Sequence, residues 1–226
     1  MKISNYFKAF GSFVILVLAA CQVISQSKPD RKISDYLKEL PKQYKTYEGD
    51  ISEPTPESTF IDEKNGYAAY LNVPNGPTDE VYFEMAMFRP DNGAPTVVVS
   101  NYKYDFVCFS YDTFFLQVKA GQWIDVKSRV LPELTEEMFF VDEESYKYYK
   151  EQKKKFGDRV GGLAMHFYPP RMGTSMDVRL ELCDWVDDSI KEGEANNFLT
   201  VSDALKTLVL NWKKNKGRFE VAPDEE

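Results

Sequence analysis

The feature that most constrains the fold is a weak internal repeat of strand-like segments. Residues 65–74 align with residues 161–170, an offset of 162 − 66 = 96 residues, and both contain alternating apolar side chains after a glycine. Nearly constant spacing is typical of a duplicated unit. The alternative is that any two antiparallel meanders share alternating strands and glycine-rich turns. The further matches are 80–85 with 177–182, at an offset of 97 (178 − 81), and 115–126 with 209–221.

Each copy begins with a pattern typical of a helix. In the first, Asp30 can cap a helix whose apolar face ends before Pro41. In the second, Asp142 is a good N-cap, and the lysines at 153–155 complement the negative helix C-terminus before Gly157. The sequence therefore predicts a β-rich α+β fold, made of two tandem helix-plus-antiparallel-meander units at residues 33–130 and 131–226.

The strands of each unit are predicted from period-two alternation between turn residues. A short helix from Ser202 is the alternative to the start of the third strand of the second unit. The predicted strands cover 67–73, 80–88, 96–101, 106–110, 113–118 and 123–126 in the first unit, and 163–168, 176–185, 205–212 and 217–221 in the second.

A helix-plus-meander unit repeated once resembles the architecture of β-lactamase inhibitory protein, and some small outer-membrane lipoproteins use one such unit. This resemblance is topological, since no sequence motif is shared. It implies a binding protein, and no site residue is carried over from it.

The N-terminus has the form of a cleaved signal peptide. Lys2 and Lys8 precede an uncharged stretch from Ala9 to Ala20, whose 12 residues fall short of the roughly 20 that span a bilayer. The stretch ends in Leu18-Ala19-Ala20, and these residues together with Cys21 resemble the lipobox of bacterial lipoproteins. The resemblance implies a lipid on Cys21 that anchors the protein in a membrane. The alternative is an ordinary secreted protein cut after Ser25.

The residues after Cys21 indicate where in the cell the protein is expected. Gln22 takes the place of the Asp that retains many lipoproteins at the inner membrane, so the resemblance implies the outer membrane of a cell that has two. Residues 1–20 are then the signal peptide, and residues 21–32 a lipidated polar tether. The expected location is the cell envelope, with the membrane as one partner.

Charge and composition exclude one class of partner. Removing the first 20 of 226 residues leaves 206 residues with 26 basic and 36 acidic side chains, a net charge of −10. An acidic exported chain is a poor candidate for nucleic-acid binding, which needs cationic surface against phosphate. The 15% aromatic content is typical of a folded, β-rich protein and argues against disorder.

Two cysteines remain if Cys21 carries lipid. Cys108 and Cys183 each lie in an apolar, strand-like segment, where an oxidising compartment allows a disulfide and a buried free thiol is equally natural. Their spacing does not indicate a metal site or a redox motif.

The sequence carries no catalytic signature. His166 is the single histidine and lies in an alternating strand pattern, which favours a structural residue on a polar or half-buried face. The acidic group Asp184, Asp187 and Asp188 lacks EF-hand spacing and indicates a solvated turn. No cofactor or metal is expected. Paired carboxylates could still support the alternative function, a hydrolase acting on envelope polysaccharide.

Aromatic residues are the more plausible functional feature. Tyr and Trp anchor protein interfaces and stack on sugar rings, whereas the pattern favours burial of Trp123 and Trp212 in the closing hairpins. Tyr102, Tyr104 and Tyr111 are predicted in connections, where they could form a binding surface. The sequence thus predicts a non-enzymatic envelope lipoprotein that binds another envelope protein or a glycan.

Overall fold

The described residues form two antiparallel sheets and four α-helices, a β-rich α+β fold as the sequence predicts. The computed structural model describes residues 31–45, 55–56, 58–72, 80–104, 109–183 and 185–223, with backbone alone at 71–72, 80–82, 102–104 and 109–111. Within these residues, no helix combines the length and hydrophobicity that a bilayer crossing requires.

The first sheet, sheet 1, is a meander of six strands in which every strand pairs with its neighbours along the chain. Antiparallel neighbours can be joined by short turns, and the turns at Gly93 and Gly121 supply the positive φ that such tight connections use. The strands are β1 (Thr59–Asp62), β2 (Tyr67–Asn72), β3 (Glu80–Phe88), β4 (Thr96–Tyr104), β5 (Phe109–Lys119) and β6 (Gln122–Asp125).

The second sheet, sheet 2, is a four-stranded meander with the same sequential connectivity. Its strands are β7 (Leu163–Tyr168), β8 (Ser175–Leu182), β9 (Leu208–Lys213) and β10 (Arg218–Val221). The helices are α1 (Ile33–Glu39), α2 (Lys127–Val130), α3 (Glu143–Phe156) and α4 (Glu192–Leu199), with 3-10 turns at Lys42–Tyr44, Glu136–Phe139, Gly157–Arg159 and Thr200–Ala204.

The two sheets pack face to face around one shared core. Phe115 of β5 is fully buried and makes edge contacts with Phe167 of β7, at 5.3 Å between ring centroids, and with Phe219 of β10, at 6.1 Å. Trp212 of β9 packs against Phe219 and Phe88, at centroid distances of 4.9 and 5.6 Å. Residues from Lys32 onward therefore form one compact unit around this inner core.

The outer face of sheet 1 is covered by α1. Ile33, Tyr36 and Leu37 of α1 are buried against strand residues such as Met85 and Val99. Because sheet 1 is buried on both faces, its central strands read as continuous apolar runs rather than as strict alternation, as in residues 97–99. The N-cap of α1 is Lys32, whose backbone N–H donates to the Asp35 side chain at 3.0 Å. The sequence prediction of Asp30 as the N-cap is therefore wrong.

A third cluster lies around α3 and α4, at the end of sheet 2. Phe156 and Phe198 are its buried centre. The predicted ends of α3 are confirmed: Asp142 accepts a hydrogen bond from the backbone N–H of Ser145 at 2.7 Å, and Gly157 follows the helix with a φ of 62°. Lys153 donates to the carbonyl of Val160 at 3.0 Å, as expected for a lysine near a helix C-terminus.

Several elements differ from the sequence prediction. The two predicted strands at 106–110 and 113–118 are one long strand, β5, and the pattern missed β1, α2 and α4 altogether. α4 follows Lys191 without an N-cap side chain, so its local signal is weak. β1 has only four residues, although the Asn65-Gly66 turn that follows it, with Gly66 at a φ of 68°, is a hairpin signal. The predicted strand from Leu205 begins at Leu208, since 3-10 residues extend to Ala204.

The strand register supports the correspondence of β2–β3 with β7–β8. Tyr70 pairs with Phe83, and His166, 96 residues after Tyr70, pairs with Arg179, 96 residues after Phe83. A β-bulge after Tyr70 leaves Tyr82 as an extra residue in β3. The offset is therefore 97 at Val81 but 96 from Phe83 onward, so the sequence match of 83–85 with 180–182 is wrong by one residue.

The closing hairpins of the two units do not occupy equivalent places. In sheet 2, β9 pairs directly with β8, which is the position that β4 holds beside β3 in sheet 1. Leu116, which the sequence matches with Leu210, packs in the outer cluster under α1, whereas Leu210 lies in the core between the sheets. The segment between β8 and β9 instead contains α4.

Candidate functional site

The outer face of sheet 2 is polar where the equivalent face of sheet 1 is apolar. Register places His166 at the position of Tyr70, and Arg179 at that of Phe83. Tyr70 and Phe83 stack in the cluster under α1 with ring centroids 4.6 Å apart. No helix among the described residues plays the part of α1 on sheet 2, and Arg179 is half exposed.

A connected set of side chains lies on this face, and we call it the His166 cluster: His166, Tyr168, Asp177, Arg179 and Glu181. His166 is 1% exposed, and its Nδ1 lies 3.1 Å from Oε2 of Glu181. Tyr168 donates a hydrogen bond to Oε1 of the same carboxylate. Glu181 therefore joins a buried imidazole to a phenol nearer the surface.

Arg179 completes the cluster at the surface. Its guanidinium carbon lies 4.9 Å from the centroid of the Tyr168 ring, and its Nη2 is 3.3 Å from Oδ2 of Asp177. A guanidinium over an aromatic face gains a cation–π attraction. The contacts thus run from a buried histidine to an exposed arginine.

Glu181 is held in its charged form by these partners. The hydrogen bond with His166, helped by that from Tyr168 and by the nearby charge of Arg179, lowers the pKa of Glu181 although partial burial acts in the opposite direction. The carboxylate is 38% exposed. Its oxygens accept from neighbours within the cluster, so it orients them rather than offering a free base.

A second cluster lies on the face of sheet 1 towards sheet 2 and joins the two units. We call it the Glu84 cluster: Phe60, Asp62, Tyr67, Glu84 and Arg171. Tyr67 donates to Oε1 of Glu84 at 2.5 Å. Arg171 lies in the β7–β8 connection. Its guanidinium carbon is 4.3 Å from the centroid of the Phe60 ring, and its Nε is 3.8 Å from Oδ2 of Asp62.

The two carboxyl groups of the Glu84 cluster have opposite pKa shifts. Burial raises the pKa of Glu84 more than the hydrogen bond from Tyr67 lowers it. Hydrogen bonds from Asn65, and the charge of Arg171, lower the pKa of Asp62. Burial together with the Glu84 charge raises the pKa of Tyr67. Displaced pKa values of this kind occur at functional sites and at structural ion pairs alike.

The predicted site residues are only partly placed by the structure. Cys21 and Cys108 lie outside the described residues. Cys183, which follows β8, is disulfide-bonded. The pairing of Cys183 with Cys108 stays a prediction.

The three tyrosines lie in strands rather than in the connections that the sequence predicts. The backbones of Tyr102 and Tyr104 belong to β4, and that of Tyr111 belongs to β5, where it pairs with Tyr102. Their side chains lie outside the described part of the chain. The β4–β5 hairpin is longer than the sequence suggests, because strand pairing continues past Asn101 to Tyr104.

The tryptophans have three different environments. Trp212 is buried between the sheets, and its indole N–H donates to the carbonyl of Arg89 at 3.0 Å. Trp123 is half-buried and makes an edge contact with Tyr36 of α1 at 5.9 Å. Trp185 is 39% exposed. Burial of Trp212 confirms the prediction from the hairpin pattern, whereas Trp123 is covered by α1 only in part.

A shallow groove of about 440 Å³ lies between α2 and the inner-facing side chains of β7. Lys127, Leu131, Leu134 and Met165 line it, and Lys127 Nζ lies 5.5 Å from the ring centroid of Phe167. Among the described residues, no group of three or more His, Cys, Asp or Glu side chains is placed to hold a metal ion.

No family model and no curated protein matches this chain. Among solved structures, the chain is similar to a domain of an uncharacterized protein from Porphyromonas gingivalis W83, with 16% identity and a TM-score of 0.42. The match covers 73% of this chain and 79% of that one. A score of this size leaves the two folds loosely alike and carries no functional information.

Proposed function

We propose that this protein is a lipid-anchored lipoprotein of the cell envelope that binds another protein or a glycan without chemical turnover. The observation that carries the binding role is the outer face of sheet 2. There the duplicated unit has His166 and Arg179 where the first unit has Tyr70 and Phe83 under α1. A face that carries a histidine and a half-exposed arginine in place of two aromatic rings under a helix is suited to binding rather than to core packing.

The His166 cluster supports this role by its rigidity. Tyr168 is fixed by its hydrogen bond to Glu181, and the ring in turn supports the Arg179 guanidinium. Arginine and tyrosine are enriched among the residues that dominate binding energy, and a side chain held before binding loses less entropy when a partner arrives. Arg179 is the exposed end of this arrangement.

The anchor is supported by the N-terminal pattern, and the proposed location is the outer membrane of a cell with two membranes. Changing Cys21→Ser removes the thiol that would carry the lipid, so the protein should move from the membrane fraction to the soluble fraction. Ser25→Ala, four residues later, should leave it in the membrane fraction. A Cys21→Ser protein that stays membrane-bound would refute the anchor.

The binding role can be tested by crosslinking in intact cells. The unchanged protein should give a discrete crosslinked species that Arg179→Ala loses and that Lys119→Ala, an exposed change in sheet 1, retains. Loss of the species in both variants, or in neither, would contradict binding through the outer face of sheet 2. The species itself, protein or glycan, identifies the partner class.

The second candidate function is a carboxylate-dependent hydrolase acting on envelope polysaccharide, and the Glu84 cluster is the observation that favours it. The pKa of Glu84 is raised and that of Asp62 is lowered, and opposite shifts of two carboxyl groups are what separates a general acid from a base. If this candidate is right, the protein depolymerises the polysaccharide and Glu84→Gln abolishes turnover without unfolding the protein. Release of no sugar fragments by the unchanged protein would eliminate it.

A further inference from the structure

Trp185 is an exposed indole on the connection between β8 and α4. It is 39% exposed, whereas Trp212 is 5% exposed and Trp123 packs against α1. A tryptophan buries more area than any other side chain when it is covered, so an uncovered one is an available contact. Neither the outer face of sheet 2 nor the Glu84 cluster includes Trp185.

The backbone around Trp185 is held on both sides. Its carbonyl accepts a hydrogen bond from the N–H of Gly161 at 2.8 Å, and the N–H of Asp187 donates to the carbonyl of Arg159 at 2.9 Å. Val186, between them, forms a β-bridge with Val160. The indole is therefore carried by a fixed backbone rather than by a free loop, and little order has to be gained on binding.

Polar residues lie close to Trp185 in the chain and across its β-bridge. The carboxylate of Asp187 accepts from the backbone N–H of Ser189 at 2.8 Å, which fixes its position, and Asp188 is exposed beside it. Arg159, across the bridge, is also exposed. Carboxylates accept hydrogen bonds from sugar hydroxyl groups, and a guanidinium donates hydrogen bonds to them.

The surroundings favour a sugar over a protein partner. A specific protein interface needs about 800 Å² on each side and an apolar centre of several side chains. The other large hydrophobic side chains that are exposed among the described residues are Ile61, Val141, Tyr148 and Met172, and none lies on the segments that hold Trp185. One aromatic ring with polar neighbours matches the apolar face and hydroxyl rim of one pyranose.

The charge selects among sugars. Asp187 and Asp188 follow Trp185 by two and three residues, and the chain after Cys21 carries a net charge of −10 if the signal peptide is removed. An acidic polysaccharide is repelled by this field, whereas a neutral or N-acetylated sugar is not. From these observations we propose that Trp185 is the stacking platform of a glycan-binding site for neutral or N-acetylated pyranose rings.

The test is an intrinsic-fluorescence titration of the purified full-length protein. The probes are oligomers of N-acetylglucosamine, cello-oligosaccharides and oligogalacturonate. The first or the second should shift the tryptophan emission to shorter wavelength with saturation, and oligogalacturonate should not. Trp185→Ala should raise the dissociation constant by about tenfold or more. Calorimetry measures this value, because the variant lacks the indole whose fluorescence reports binding.

Two variants separate this site from the rest of the molecule. Trp123→Phe should keep both the shift and the affinity, because that indole packs on α1. Arg179→Ala should also keep them, even if it abolishes the crosslinked partner of sheet 2. Equal affinity of Trp185→Ala and the unchanged protein, loss of binding in Arg179→Ala alone, or binding to none of the three probes would each overturn the proposal.

Discussion

At the residue scale, Gly161 shows how close backbone contact fixes a residue type. A Cβ added there would lie 2.2 Å from the carbonyl oxygen of Cys183, whereas one added at Gly162 would meet no heavy atom within 4 Å. Gly161→Ala should therefore lower the free energy of unfolding by about 2–4 kcal/mol, and Gly162→Ala should change it by less than about 1 kcal/mol. Urea unfolding measures both, and equal effects would contradict the contact.

Glu181 gives a residue-scale prediction that depends on pH. Its pKa is lower in the folded protein than in the unfolded chain, so its charge contributes stability above a pH of about 4.3, and this contribution is lost as the pH falls through the folded pKa. Glu181→Gln should destabilise the protein at pH 7 and cost progressively less below pH ~4. The control is Glu133→Gln, an exposed change outside the cluster, and the measurement is unfolding by urea at several pH values.

At the element scale, the Tyr67–Glu84 pair joins β2 to β3 on the face towards sheet 2. The pKa of Glu84 is raised by burial, so its contribution to stability is present at low pH and lost as the pH rises through the folded pKa. Glu84→Gln should therefore be neutral or stabilising at pH 7, and any gain should disappear in acid.

Tyr67→Phe is the matched change in the same pair. It removes the donor and leaves the Glu84 carboxyl without this hydrogen bond, which should cost about 1–3 kcal/mol at pH 7. Thermal unfolding of the two variants side by side checks the sign of each effect. If Glu84→Gln were the more destabilising at neutral pH, the buried carboxyl would be better satisfied than the geometry indicates.

Elements with strong local signals were predictable, and those with weak ones were not. α3 has an N-cap, charged ends that complement the helix dipole and a terminal glycine, and its predicted bounds are confirmed. α4 is short and has no N-cap side chain, and β1 has only four residues before the Asn65-Gly66 turn. The bulge after Tyr70 could not be predicted from the sequence either. One extra residue changes the strand register, but the alternation of side chains that indicates a strand remains.

At the scale of the whole molecule, the shared core predicts cooperative unfolding of both sheets. Phe115 contacts Phe167 and Phe219 across the sheets, so Phe115→Ala should destabilise the protein by about 3–5 kcal/mol and lower the stability of sheet 1 and sheet 2 together. Hydrogen exchange read out on β3 and β8 measures this, and Ile61→Ala, an exposed change, is the control. Loss of protection in one sheet alone would show that they unfold separately.

The sequence by itself determined the β-rich fold class, the two helix-plus-meander units and the ends of α3, because alternation, turn residues and helix caps act between near neighbours in the chain. It placed His166 on a strand and expected Trp212 to be buried. The tertiary structure alone decided that the two sheets share a core, that α1 covers sheet 1 while the equivalent face of sheet 2 carries the His166 cluster, and that Trp185 is exposed. Those outcomes depend on which strand faces meet across the molecule, and such contacts between distant residues leave no local pattern in the sequence.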